Sequence, residues 1–527
     1  LSIFQNDSGS SGLLGDYFSS DQSSESVAAR VGIVRIALTF ILAAIVVSTV
    51  SSFWRLSHIP GPFAAALSDI PRFTWVWNRR AHCVHIELHE KYGDLVRYGP
   101  NAVSVGTPKE IGQIYGMTGK YKKSDFYKVI LPMSKGKLLP GIFATQDEAL
   151  HATLKKPIAS IYSMSNLVSF EPYVDSTIGV FCQQLDERFV ESGKPCSFSD
   201  WLQYFAFDVV GEITFSKRLG FLEQGKDVDN IMGDIWRFFE YVAPVGQMPW
   251  IDALWVKNPW VSRMRKPGWN AMAQFAMQRQ KERAEREAND DMLNNRDFLS
   301  RFMAAREKDP SIPEFAVLAW TQSNIQAGSD TTAIFLRTMF YNLLRHPATM
   351  DKLRAELNAA KDRGDLSDIV SWKESRDLPY LAACINETGR IHPPFGLHLE
   401  RIVPPGGATI CGSFLPQGTI VGMNGWVVHR HKETFGDDAD EWNPDRWMCE
   451  DKEKYKNMER SLLTVCVFLC CFDPPSPIYS RPTPLHLDSS PTHLQPCLAL
   501  HAALPCQPPP SRHLENLPQK KENTSQS

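Results

Sequence analysis

The chain has 527 residues, 43% of them hydrophobic and 22% charged, with a formal net charge of −3. That length suits one large domain or a few smaller ones, and the near-neutral charge leaves no electrostatic footprint for nucleic acid. The cysteine count is odd, 11, and the residues are scattered without zinc-type or redox-type pairs, for which free thiols in a reducing compartment are the simplest account.

Residues 1–30 form a Ser-rich, acidic tail (Asp7, Asp16, Asp21, Glu25). Val31–Trp54 is almost wholly apolar, with the length of a membrane-spanning helix of about 20 residues. A buried core helix is the competing assignment. Arg35 lies near one end, where its stem can snorkel. No small-residue cleavage site follows, so the run reads as an anchor rather than a removed leader. Arg55, His58, Arg72, Arg79 and Arg80 come next, and by the positive-inside rule they leave the bulk of the chain in the cytosol.

Ile59-Pro60-Gly61-Pro62 cannot continue a helix and reads as a stiff elbow. From there to Thr464 no linker or repeat interrupts the pattern. Helical periodicity predicts helices over Val168–Val190, Trp201–Thr214, Asp227–Val242 and Trp269–Glu287. β-like stretches occur near Leu95–Val105 and Thr409–Val421. The class is mainly α with a small β region.

The strongest helix is predicted over Pro310–Pro347. Ser311-x-x-Glu314 has the form of a capping box, and Pro313 suits a first turn. At 1.5 Å per residue the helix would be on the order of 50 Å long. Apolar residues lie on nearly all its sides, so it should cross the core. Yet it carries Gln322, Ser323, Asn324, Ser329, Asp330, Thr331 and Thr332. Buried polar groups cost about 1–3 kcal/mol each unless partnered, so the notch Ala327-Gly328-Ser329-Asp330-Thr331-Thr332 marks a cavity. A helix whose hydroxyls simply bond back to their own carbonyls is the alternative.

The notch resembles the central-helix motif of the cytochrome P-450 family. Two further segments carry the same resemblance. Glu387-Thr388-Gly389-Arg390 precedes His392-Pro393-Pro394 and is similar to the family's E-x-x-R helix, with Gly389 as a departure. Glu441-Trp442-Asn443-Pro444-Asp445-Arg446-Trp447 resembles its P-E-R-F segment. The resemblance runs from about Ile59 to Thr464 and is nearest to fungal members of the pisatin-demethylase-like kind, in FATQDEALHATLKKPIASIYSMS, LERIVPPGGATICG and GMNGWVVHRHKETFGDDADEWNPDRW.

The resemblance implies a cytochrome P-450 fold and a haem cofactor. It also implies electrons from NADPH through a cytochrome P-450 reductase, a small apolar substrate, and a single-pass endoplasmic reticulum membrane location. It assigns proton and dioxygen handling to Asp330 and Thr331, with Gly328 letting the helix pass close to the flat cofactor. Glu387, Arg390 and Arg446 would form a buried charge triad. His151, Lys155 and His398 would bond the haem carboxylates. The pocket would be lined by Lys122–Leu138, by Trp320, Asn324 and Ala327, and by Phe395–Leu397.

The family continues past this point to a loop of the form F-x-x-G-x-R-x-C-x-G that carries the iron-binding thiolate. Here Val465-Cys466-Val467-Phe468-Leu469-Cys470-Cys471-Phe472-Asp473-Pro474-Pro475 stands in that place. It has no Gly for the turn and no Arg for a carboxylate. Cys470 and Cys471 fall close to the ligand position but lack the backbone frame that orients a thiolate. No metal ligand is therefore assigned. The Pro-, Ser-, His- and Gln-rich tail 465–527 is expected to be disordered, as a retained intron or wrong splice would produce. The expected organisation is a tail (1–30), an anchor (31–54), an incomplete catalytic domain (59–464) and an aberrant tail. A membrane-tethered pseudoenzyme that binds ligand or partner without iron is the competing reading.

Overall fold

The computed structural model describes residues 32–463, apart from 34, 41–42, 45, 117–119, 135–136, 259, 262–270 and 289–296. Cys466, Cys470, Cys471 and the rest of the tail lie outside the described residues. The apolar run 31–54 is described only in part, with helical residues at 32–33, 35–40, 43–44 and 46–55. Among the described residues no helix is long and apolar enough to cross a membrane, so the expected span is not found there.

The elbow is set by backbone contact. Arg97 N donates to Pro60 O at 2.7 Å, and a Cβ on Gly61 would lie 2.1 Å from the Arg97 carbonyl oxygen. Only glycine lets these two segments meet. Helices α1 (Ile70–Trp77) and α2 (Ala81–Tyr92) follow. Next come strands β1 (Leu95–Gly99), β2 (Ala102–Val105) and β3 (Lys122–Lys123), and the small hairpin β4 (Met133–Ser134) and β5 (Lys137–Leu138). Strand β6 (Arg401–Ile402), the hairpin β7 (Ala408–Ile410) and β8 (Ser413–Leu415), and β9 (Ile420–Gly422) come from the far end of the chain. They complete a five-stranded sheet in the order β1-β2-β9-β6-β3. Its β2–β9 pair is parallel, so chain segments more than three hundred residues apart share one ladder.

The helical layer comprises α3 (Glu148–Lys155), α4 (Glu171–Leu185), α5 (Phe198–Phe215), α6 (Ile231–Val245), α7 (Ala271–Ala288) and α8 (Phe298–Lys308). It continues with α9 (Ala316–Arg345), α10 (Pro347–Asp362), α11 (Pro379–Ile391) and α12 (Lys452–Arg460). Three boundaries depart from the periodicity. Pro172 in the first turn of α4 fixes its start, and the helix leaves through a π-helical turn at Asp186–Val190. Helix α6 starts after Asp227 because that carboxylate accepts from Met232 N and Gly233 N, both at 3.1 Å, while Asp229 and Asn230 adopt φ of 52° and 56°. Helix α9 lacks the expected capping box. Asp309 accepts from Ser311 N at 3.0 Å and from the Ser311 hydroxyl at 2.6 Å, which uses the hydroxyl the box requires.

Helix α9 crosses the core. It packs along α5 and also touches α7, α8, α10 and α11. Its buried residues run from Ala316 to Leu343 and include Trp320, Ile325, Leu336 and Met339. Trp320 is 1% exposed, meets Phe302 at a tilt, and donates from Nε1 to Leu154 O at 3.1 Å, which ties α9 to α3.

One charge has a different role from its sequence reading. Arg72, counted among the basic residues that follow the apolar run, is buried and bonds Glu400, Asp69 and Gln247. Glu400 also accepts from Tyr98 at 3.1 Å and from Ser124 at 2.5 Å. This network joins α1, β1, the segment before β6 and the end of α6. A buried arginine demands such partners.

Candidate functional site

Around the notch, the expected residues divide between two faces of α9. The Thr331 hydroxyl donates to Ala327 O at 2.7 Å, and Ser329 donates to Ile325 O at 2.8 Å. Gly328 is buried between them. Asp330 points about 100° away from Thr331 around the helix, toward α5. There its Oδ1 accepts from Gln203 Nε2 at 2.6 Å. The Gln203 Oε1 accepts from Arg337 Nη2 at 2.6 Å, and Arg337 Nε donates to Ser199 O at 2.8 Å. Burial pushes the Asp330 carboxyl up to about 6, with the Gln203 bond and the Arg337 charge acting the other way. A carboxyl in that range exchanges protons near neutral pH.

Trp320 and Asn324, expected to line a pocket, belong instead to the packed core. Asn324 is 2% exposed and accepts from Tyr162 OH at 2.6 Å, while its Nδ2 has no partner among the described residues. The other two pocket segments do meet. Phe126 and Tyr127, with Ile130, Leu131 and Phe143 beside them, pack against Phe395 and Leu397 in one apolar cluster.

Glu387, Arg390 and Arg446 come together in the interior. Glu387 is fully buried, and five protein donors converge on it. They are Arg390 Nε and Nη2 at 2.8 Å each, Arg446 Nε at 3.2 Å, Asn443 N at 2.8 Å and Trp447 Nε1 at 2.9 Å. Arg390 reaches on to His429 O at 2.9 Å and Glu441 O at 2.7 Å, and Arg446 to Asp438 Oδ1 at 2.9 Å. No charge in the triad is left unbonded, which is the condition under which a buried ion cluster is tolerable. Periodicity did not single out His429. Its Nδ1 donates to Arg390 O at 3.0 Å, and its Nε2 accepts from Leu463 N at 2.6 Å. Burial holds its pKa down to about 3, so the ring stays neutral and fixes the chain just before Thr464.

The residues expected to face haem carboxylates are spread over two places. His151 and Lys155 sit one turn apart on α3. His151 Nδ1 lies 3.4 Å from Glu148, and burial, then Lys123, then Lys155 lower its proton affinity. Lys123, absent from the sequence motifs, therefore joins this cationic group, with Nζ on the carbonyls of Ile142 and Thr145 at 3.2 Å each. His398 is elsewhere. It is buried, stacks on Tyr98 at 4.1 Å, and its Nε2 is 2.7 Å from Ser104 Oγ. Ser104 Oγ is also 2.7 Å from His89 Nε2, while His89 Nδ1 faces Gly93 O at 2.8 Å. Burial holds His89 and His398 neutral, lowering His89 to about 4. A carbonyl only accepts, so His89 donates from Nδ1 and Ser104 donates to His89. The one N–H of His398 is then spent on Ser104, so the ring reaches a carboxylate only by exchanging that bond.

A haem fits part of this arrangement. The Lys123–His151–Lys155 group has the charge a dicarboxylate needs, and the Gly328–Thr331 turn offers a small residue beside a hydroxyl. The iron-side thiolate is not among the described residues. Of the described cysteines, Cys384 is buried with its thiol pushed well up, and Cys411 is pushed up to about 12, so neither is thiolate-like.

Comparison with known proteins agrees with this geometry. The family model described as Cytochrome P450 matches residues 69–462. A protein named cytochrome P450 monooxygenase from Aspergillus terreus is 59% identical over 423 residues, covering 80% of this chain and 86% of its own length. Cytochrome P450 monooxygenase cicH from Emericella nidulans is 53% identical over 411 residues, covering 78% and 82%. Penicillium brevicompactum cytochrome P450 monooxygenase mpaDE is 46% identical over 438 residues, covering 81% of this chain and 51% of that protein. With its central helix, its buried triad and this match across the helical domain, the chain belongs to the cytochrome P450 family.

Proposed function

We propose that this chain is built as a haem-dependent monooxygenase that inserts one atom of dioxygen into a small apolar substrate of the secondary-metabolite type. Electrons come from NADPH through a separate reductase. The reading is carried by the family match across 69–462, within which Asp330 and Thr331 stand side by side midway along a buried helix. Haem, when bound, supplies dioxygen activation. The chain's own residues do the rest. Lys123, His151 and Lys155 would hold the haem carboxylates, and His398 would join them if it left Ser104. Thr331 would offer its hydroxyl to the bound group if it left Ala327 O. Asp330, which titrates at about 6, exchanges protons on the α5 face and would pass them toward Thr331 only by releasing Gln203. The Phe126–Leu131 and Phe395–Leu397 cluster supplies a dry, apolar wall for such a substrate.

Attachment to the endoplasmic reticulum membrane is part of the same proposal. The run Val31–Trp54 supports it, as do the bare side chains of Ile36, Phe40, Val47 and Trp54, 60%, 72%, 68% and 70% exposed. Such surface is costly in water. Resistance of the expressed chain to alkaline extraction from microsomes checks this, and release into the wash counts against it.

One observation favours a second reading. The sequence contains no F-x-x-G-x-R-x-C-x-G loop after Thr464, so a non-catalytic, membrane-tethered binding protein is the alternative. Haemin titration of the purified chain separates the two. Stoichiometric quenching of tryptophan fluorescence, weakened by Lys123→Met and Lys155→Met, supports the haem site. The absence of saturable uptake favours the alternative.

A further inference from the structure

The Asp330 carboxylate and the Arg337 guanidinium lie seven residues apart on one face of α9, yet they do not pair directly. Gln203 of α5 stands between them, 2.6 Å from each. Arg337 has only donors, so it must face the Gln203 carbonyl oxygen, and the Gln203 NH2 must face the carboxylate. The amide orientation is thus fixed by its partners. Arg337 is itself held by Ser199 O at 2.8 Å, and Asp200 on α5 adds a favourable charge to it. Ser197 donates to Asp200 at 2.7 Å.

We propose that Gln203 is a positioning residue for Asp330: its carboxamide, braced by Arg337, keeps the carboxyl turned toward α5 and favours its ionised form without a direct ion pair. This rests on the reading of Asp330 as the proton-handling acid. The physical point lies in the spacing. An arginine in contact with a carboxylate locks it ionised, by one to three pH units in typical pairs. An interposed amide supplies a neutral donor and a polarised bond instead. Burial still outweighs donation, leaving the carboxyl at about 6, where it is able to gain and lose a proton. The charged groups acting on it are Arg337 on its own helix and, through Arg337, Asp200 on α5. Among the described residues, α7, α8, α10 and α11, also packed on α9, contribute no charge to its titration.

The test is an infrared titration of the full chain, following the carboxyl C=O band that disappears in Asp330→Asn. Gln203→Leu removes the donor and leaves the burial, so the midpoint should rise by about one pH unit. An unchanged midpoint overturns the proposal, because a residue that only fills space would alter stability and not titration. Should Gln203→Leu fail to fold, Arg337→Met keeps the amide but removes its brace. Its midpoint should also rise, and a midpoint that stays or falls overturns the proposal. The titration does not depend on oxygen chemistry. A shifted midpoint together with an Asp330→Asn protein that still oxidises substrate normally would remove the role of Asp330 and leave the Gln203 coupling standing.

Discussion

Replacing Glu387 by Gln is the sharpest stability experiment this fold offers. Its carboxylate is 0% exposed and receives Arg390, Arg446, Asn443 N and Trp447 Nε1. The amide keeps the volume but turns one acceptor into a donor. That NH2 must oppose another donor whichever way it is flipped; buried Arg390 loses its counter-charge, while Arg446 keeps only Asp438. Breaking a buried pair in this way costs about 3–5 kcal/mol. The control is Glu433→Gln, whose partner Lys109 is 3.3 Å away with both side chains at least 75% exposed, and there no measurable change is expected. Urea unfolding of the two variants against the parent gives the difference. Limited proteolysis should cut Glu387→Gln first within residues 438–463, which the triad holds. A loss below about 1 kcal/mol for Glu387→Gln would show that the cluster is solvated or relaxed, and would refute the reasoning from burial.

Trp320→Ala should cost about 3–5 kcal/mol in the same assay, because it empties a core site and orphans the Leu154 carbonyl; a cost under 2 would mean that the site collapses. Asp330→Asn should alter how stability depends on pH. The folded carboxyl titrates at about 6, above the ordinary 3.8, so the folded state binds the proton more tightly and the parent loses stability as pH rises through that window. Relative to the parent, Asp330→Asn should therefore gain up to about 3 kcal/mol between pH 4 and pH 7, and a difference that stays flat with pH would contradict the raised pKa. His429→Phe removes the acceptor of Leu463 N, so amide exchange at Leu463 should quicken while the triad stays protected; unchanged protection would mean that the contact holds nothing.

Much of the architecture could be read from residue order. Alternating and helical patterns located β1, β2 and most of the long helices, and the polar notch lies on α9, the helix through the core. What could not be read depended on pairs far apart in sequence. Arg72 resembled an anchor-flanking cation until Glu400, more than three hundred residues later, was found beside it. Periodicity put Gln203 on a helix and the pocket segment included Lys123, but their roles, and that of His429, come from what α5, β3 and the loop after β9 bring next to them. The start of α9 was misplaced because Asp309 took the Ser311 hydroxyl, and a local motif cannot reveal such competition. Trp320 and Asn324 share a helix face with Ala327, which suggested a pocket wall. The packing of Leu154 and Tyr162 against them is long-range, and it put them in the core.

The most direct test of the whole account is the absorption spectrum of the haem-reconstituted, reduced chain under carbon monoxide. It should be compared with a chimera in which the residues after Leu463 are replaced by the corresponding segment of the Aspergillus terreus relative. The account predicts haem uptake by both proteins and the red-shifted thiolate band in the chimera alone. A chimera that takes up haem without that band, or takes up none, would contradict it.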